Sequence, residues 1–338
     1  MIQSITSMRS GAMPDVTIIG AGVAGLWAAR SCLARGLRPR LIDQTGVPGA
    51  HGCSWWAGGM LAPECEGALA EPLIVAHGRK AAALWRQVTE LREQGTLVLA
   101  PERDRAELDR FAARTEGHLT CDSDAIAALE SDLAGRHRRG LYFADETHLD
   151  PRQALIDLVD AIATSGVTIE TGRAEPSGLD GPVIDCRGLA ARCDLAGLRG
   201  VRGEMIVLRT DEITLTRPIR LLHPRHPLYV VPRAGGRFML GATQIETAAR
   251  GGVTARSALE LLSAAYALDP RFAEAEILEM GADLRPAFAD NVPRVVQRGR
   301  ILHLNGLFRH GFLMAPALAE QAAEFLSTGR TGDLFHED

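Results

Sequence analysis

Residues 16–35 restrict this chain more than any other stretch, because their order admits little besides a strand, a glycine turn and a helix. Val16, Thr17, Ile18 and Ile19 form a short apolar, β-branched run, and Gly20, Gly22 and Gly25 follow it in the spacing G-x-G-x-x-G. Each glycine has its own task. Gly20 permits a tight turn, Gly22 lets a backbone approach a pyrophosphate, and Gly25 lets the next helix lie close against the strand. The spacing predicts that helix over 23–35, with Leu26, Ala29 and Leu33 on one face and Gly36 as its stop. The N–H groups of its first turn then point at phosphates.

Glycine-rich turns are common, and here the context sharpens the reading. Arg40, Leu41 and Ile42 read as a second strand ending on Asp43, about 20 residues beyond the glycines, where an acid accepts the hydroxyls of an adenosine ribose. An acid there disfavours NADP, whose 2′-phosphate would meet a like charge. The motif predicts a dinucleotide site and leaves FAD and NAD both open.

Composition narrows the class of partner. A chain of 338 residues has room for two structural domains, since single cores stop growing near about 250–300 residues. The net charge of −5, with 37 scattered Lys and Arg, carries no basic footprint for nucleic acid. No run approaches the roughly 18 apolar residues of a membrane span. The expected partner is a small molecule. The six cysteines, Cys32, Cys53, Cys65, Cys121, Cys186 and Cys193, contain no C-x-x-C pair, which fits reduced thiols in the cytoplasm. Cys186 and Cys193 with His223 and His226 match no zinc spacing, so no metal is expected. The first thirteen residues lack the apolar segment of a signal peptide and are expected to fray.

Along the chain, 44–52 is a loop rich in glycine and proline, and 53–64 sets two tryptophans beside the pair Gly58-Gly59. That stretch reads as backbone passing close to a flat ring system, with Ser54 offering a hydroxyl. Helical periodicity covers 69–94, followed by a strand at 97–100, helices at 101–114 and 122–129, and a strand at 140–143. Asp150 caps a helix that starts at Pro151 and runs to Ile162. Strands at 167–170 and 183–186 alternate with it, as a doubly wound sheet requires, and the second ends in Arg187-Gly188 at a ligand-binding carboxyl edge. Strands at 201–208, 217–222, 228–231 and 237–240 predict an antiparallel block, followed by a helix over 254–268. A strand at 275–284, a hairpin across Gln297-Arg298-Gly299 and a helix over about 316–326 complete the chain. The expected fold is α/β: a Rossmann-type domain assembled from 14–90, 145–200 and 281–338, with an inserted antiparallel-sheet (α+β) substrate domain from 91–144 and 201–280.

Five stretches carry a resemblance: IIGAGVAG with Asp43, SWWAGGMLAPE at 54–64, YVVPRAGGRFMLGAT at 229–243, LRPAFADNVP at 284–293 and NGLFRHGFLMAPALA at 305–319. Together and in this order they resemble the FAD-dependent amino-acid oxidases of the D-amino acid oxidase superfamily, most closely the glycine oxidases of thiamine biosynthesis. Residues 95–140 add little to it. The resemblance implies that Arg285 holds the amino-acid carboxylate, where a planar fork suits bidentate binding; its alternative is an ion pair with Asp283 or Asp290. It implies that Tyr229 touches the substrate through its hydroxyl, rather than leaving it in water, and that Arg309 lies over substrate and flavin, rather than in a salt bridge. His310 is expected to be a helix-start contact.

For the FAD itself the resemblance implies Gly20, Gly22, Val23, Ala24 and Gly25, then Asp43 and Gln44, the stretch Ser54, Ala57, Gly58, Gly59 and Met60, then Ala174, Cys186 and Gly188. Arg309, His310, Gly311, Phe312 and Leu313 would bring a helix N-terminus to the pyrimidine edge of the flavin, whose positive end favours negative charge there. No cysteine follows Cys193, so the flavin is expected to be non-covalent. The implied reaction takes glycine to its imine by hydride transfer from the α-carbon to flavin N5. O2 becomes H2O2, and water releases glyoxylate and ammonia, or the imine enters thiazole formation. The implied partners are a small amino acid, O2 and thiazole synthase, in a cytoplasmic protein that can be a homo-oligomer. Gln244 and Leu307 depart from the family pattern and bear on which amine fits. An oxidase or dehydrogenase of sarcosine, proline or a larger D-amino acid is the rival chemistry, and a flavin-binding subunit without turnover is the rival class.

Overall fold

The structure is a computed structural model in which residues 15–223 and 227–337 are described. The expectations for the 1–13 tail and for His226 lie outside these residues.

The glycine-turn unit forms as its spacing requires. Strand Val16–Ile19 leads into helix Val23–Ala34 and strand Pro39–Asp43, and the two strands pair in parallel. They sit within a seven-stranded sheet in the order Ile169–Thr171, Pro39–Asp43, Val16–Ile19, Val183–Asp185, Ile301–Asn305, Arg294–Arg298 and Phe335–Glu337. The first five run parallel, and Arg294–Arg298 folds back as an antiparallel hairpin partner. Val16–Ile19 is buried along its whole length, as a central parallel strand covered on both faces must be. Helices Val23–Ala34, Pro72–Trp85, Pro151–Ala163 and Gly311–Thr328 contribute to one apolar core with it. Trp27 meets Trp85 edge-on at 5.0 Å between ring centroids, and Trp85 stacks on Phe312 at 5.4 Å. Asp150 caps its helix as expected, accepting the Arg152 N–H at 3.0 Å.

The second sheet has nine strands. Its path runs Ile245–Glu246, Arg199–Arg209, Arg237–Gly241, Leu228–Arg233, Ile219–Leu221, Thr96–Leu99, Arg139–Phe143 and Leu119–Asp122, and Glu276–Ala287 pairs with Arg199–Arg209. Helix Ala255–Leu268 packs against it through Leu261, Ala265 and Leu268, and Thr254 caps that helix by accepting the Ser257 N–H. Glu276–Ala287 carries Arg285 from this sheet towards the first.

Three expectations need correction. The helix over 69–94 is Pro72–Trp85: Pro72 supplies its first position, and past Trp85 the chain turns to pair Arg92 with His148. The closing helix begins at Gly311, not near Pro316. Pro316 lies inside it, and the Phe312 carbonyl that its missing N–H leaves unbonded accepts the Trp85 indole N–H at 2.7 Å. Strands Leu119–Asp122 and Phe335–Glu337 were not expected; the first buries only Cys121 and shows no apolar alternation.

Candidate active site

A cavity of about 1250 Å³ runs from the carboxyl ends of Val16–Ile19 and Pro39–Asp43 to the inner face of the nine-stranded sheet. All of the site residues expected from the sequence line it except Gly25. Gly25 lies behind the turn: a Cβ there would sit 1.8 Å from the Gly20 carbonyl oxygen, so its role is close packing of helix on turn. Gly20 itself has a φ of +97°, a left-handed conformation that suits glycine. Asp43 is fastened to this turn. One carboxylate oxygen accepts the Ala21 N–H at 2.9 Å, and the other accepts the Thr45 N–H and hydroxyl at 2.9 and 2.8 Å. Burial alone would raise its pKa, but these hydrogen bonds hold it below the ordinary carboxylate value, so a charged acceptor faces the ribose position. Ser54 lines the cavity, and its hydroxyl accepts the Val23 N–H at 3.1 Å in the first turn of the glycine helix.

Gly311–Thr328 points its N-terminus into the cavity beside the glycine helix, where a Cβ on Gly311 would lie 3.8 Å from Val23 Cγ1. No side chain caps it, and Gly311, Phe312 and Leu313 line the wall. His310 stands at its N-cap, as expected of a helix-start contact. The preceding Phe308 has a φ of +48°, and its N–H donates to the Pro286 carbonyl at 2.8 Å, tying the Arg309 turn to the Arg285 strand.

Arg285 is half-buried and reaches the cavity beside Tyr229. Its guanidinium donates to the Thr243 carbonyl at 3.1 Å, and among the described residues no carboxylate pairs with it. Asp283 approaches Arg250 and Asp290 binds Arg294 instead, so neither ion pair weighed for Arg285 forms. Gly203 makes room: a Cβ there would fall 2.2 Å from the Arg285 Nη2. Tyr229 is wedged between Gly58 and Gly241, whose added Cβ atoms would lie 3.1 and 2.7 Å from its ring. Burial pushes its pKa up, which keeps the phenol a hydrogen-bond donor at neutral pH.

Arg309 does line the cavity, but it is also ion-paired. Its Nε lies 2.8 Å from Oε2 of the buried Glu66, whose Oε1 accepts the Arg220 Nη2–H at 2.6 Å. His310 Nδ1 lies 3.3 Å from the same Oε2. Burial would raise the Glu66 pKa, but Arg309, Arg220 and His310 outweigh it and hold the carboxyl far below its usual range. Burial pushes His310 down to about 4 despite Glu66, so the imidazole is neutral at pH 7. Sequence reasoning missed Glu66, Arg220 and Gly203. Glycine inside the strand at 201–208 was a legible sign of close approach. Arg220 has no local sign; it faces the site because it is directly opposite Tyr229 across an antiparallel pair.

The donor set fits an FAD. Two helix N-termini, an ionised acid fastened to a glycine turn and an elongated cavity between them supply what its pyrophosphate, ribose and ring system need. Residues 15–325 match the family described as FAD dependent oxidoreductase (DAO), and the chain belongs to that family of FAD-dependent oxidoreductases. It is 52% identical over 316 residues to a Rhizobium etli protein described as a thiamine biosynthesis oxidoreductase, ThiO, covering 93% of this chain and 96% of that one. The crystal structure of glycine oxidase from Geobacillus kaustophilus superposes with a TM-score of 0.79 at 24% identity, covering 96% of both chains. A bifunctional ThiO/ThiG protein of Trichormus variabilis is 27% identical over 128 residues, 37% of this chain and 20% of that one.

Proposed function

We propose that this protein oxidises glycine to its imine, with water releasing glyoxylate and ammonia and O2 reduced to H2O2, and that the imine supplies thiazole formation in thiamine biosynthesis. The observation that carries the reading is Arg285, a guanidinium with no carboxylate partner among the described residues, in one cavity with the half-buried Tyr229 and an uncapped helix N-terminus. Bound FAD, held non-covalently by the glycine turn, Asp43 and the first turn of Gly311–Thr328, would supply the two-electron acceptor. The chain's part is binding and orientation. Arg285 takes the carboxylate in a charge-assisted pair and the Tyr229 hydroxyl fixes its second oxygen, which leaves the α-carbon facing the flavin position. His310, pushed down to about 4 by burial, is too weak a base at pH 7 and Glu66 is engaged with Arg220 and Arg309, so in this reading the amine reacts in its uncharged form without help from either. The positive end of Gly311–Thr328 favours negative charge developing at the pyrimidine edge.

The ThiO identity and the ThiO/ThiG fusion support a cytoplasmic enzyme whose product is used by thiazole synthase. Gln244 favours a second reading, because its amide lines the cavity and suits a larger or more polar amine than glycine. Initial rates of peroxide formation with glycine, sarcosine, D-alanine, D-proline and D-phenylalanine separate the two. Glycine or sarcosine should lead, because each methylene that does not fit costs about 1–3 kcal/mol. A preference for D-phenylalanine would make this a general D-amino acid oxidase; no peroxide but reduction of an artificial acceptor would make it a dehydrogenase, and neither with any of them a flavin-binding subunit.

A further inference from the structure

Three arginines reach the inner end of the cavity, and they are not equivalent. Among the described residues Arg285 has only a backbone carbonyl as partner, whereas Arg220 donates to one oxygen of Glu66 at 2.6 Å and the Arg309 Nε lies 2.8 Å from the other. Arg220 is also bonded to the Cys65 carbonyl at 3.2 Å. Glu66 is buried and lines the same cavity as the arginines it binds. Two guanidinium groups converging on one carboxylate make a second anion site, filled here by a residue of the chain itself. We propose that Glu66 is a specificity-determining residue: it occupies this second carboxylate site from within and so restricts the pocket to substrates with a single carboxylate, which go to Arg285.

The inference rests on the proposed amino-acid oxidation and deepens it. With Glu66 in place, a second carboxylate on the substrate finds both remaining guanidinium groups already ion-paired and meets a like charge held ionised by them. Removing that charge while keeping the shape frees two cations at a fixed distance from Arg285. The substrate class would then widen to dicarboxylates, such as D-aspartate or an N-carboxymethyl amino acid.

The test compares binding of acetate and malonate to the FAD-loaded protein by calorimetry, for the parent, Glu66→Gln and Glu66→Asp. The parent should bind acetate more tightly than malonate. Glu66→Gln should raise the malonate-to-acetate affinity ratio at least tenfold, and Glu66→Asp, which keeps the charge, should leave it within about threefold of the parent. An unchanged ratio in Glu66→Gln, with a parent that binds acetate and oxidises glycine, overturns this inference alone. A parent that neither binds acetate nor oxidises any amino acid overturns the functional reading, and the inference with it. If Glu66→Gln does not fold, the parent decides: tighter binding of malonate than of acetate shows that Glu66 does not close the second site.

Discussion

The two ends of the cavity are made of different material. The end at the glycine turn, proposed for ribose and pyrophosphate, is largely backbone: a glycine turn, helix N–H groups and one carboxylate bonded to Ala21, with Ser54, Ala174, Cys186 and Gly188 beside them. The inner end is side-chain charge, brought together from Glu66, Arg220, Tyr229, Arg285 and Arg309. A site of backbone tolerates no added atom, whereas a site of paired charges tolerates shape changes but not an unmatched charge. The first kind therefore fails by losing the cofactor and the fold, and the second by losing or changing the substrate.

The largest effect should follow Gly25→Val. Its Cβ would lie 1.8 Å from the Gly20 carbonyl oxygen, in rigid backbone, and no rotamer relieves that. The purified variant should carry no FAD and show no cooperative unfolding; a yellow protein with the parent's Tm would break the comparison. Next, Arg285→Ala should lower kcat/KM for the amino acid by about 10²–10³-fold, the loss of a charge pair worth about 3–5 kcal/mol. Its FAD content should stay at the parent's level. Oxidation of glycine within twofold of the parent would remove Arg285 as the carboxylate anchor.

The smallest effect is on stability and sharpens the charged end. Burial pushes His310 down to about 4 and His148 down to about 3, so below the unfolded value near 6.5 the unfolded chain binds more protons than the folded one. Their contribution is full above about pH 6.5 and is lost as pH falls towards those values. Glu146, raised by burial to about 6, acts with the opposite sign between about pH 4.5 and 6. The lowered histidines, His137 among them, outweigh Glu146, so Tm should be lower at pH 5 than at pH 7. His310→Gln should flatten that slope in a thermal melt, and an unchanged slope would show that His310 is not buried as a neutral ring.

How much of this was legible in the sequence follows the same division. Strand Val16–Ile19, its helix and Asp43 were readable because spacing alone forces them, and Asp150 and Thr254 announced their helices as caps. Arg285, Tyr229 and Arg309 came into view only through the resemblance. Glu66 lies two residues past the quoted stretch 54–64, and nothing local marks it; its meaning depends on Arg220 and Arg309, which are far away along the chain. Pro316 misled because proline usually marks a helix start, while here an indole from another helix replaces the hydrogen bond it removes.

The bond from the Phe308 N–H to the Pro286 carbonyl has a consequence for redesign. Because it ties the Arg309 turn to the Arg285 strand, the spacing between the main chain of the proposed carboxylate anchor and the helix N-terminus proposed for the flavin edge is fixed. Gln244, on the short link between strands Arg237–Gly241 and Ile245–Glu246, directly follows the Thr243 whose carbonyl accepts from Arg285, so a substitution that widens the pocket there acts on the same wall as Arg285.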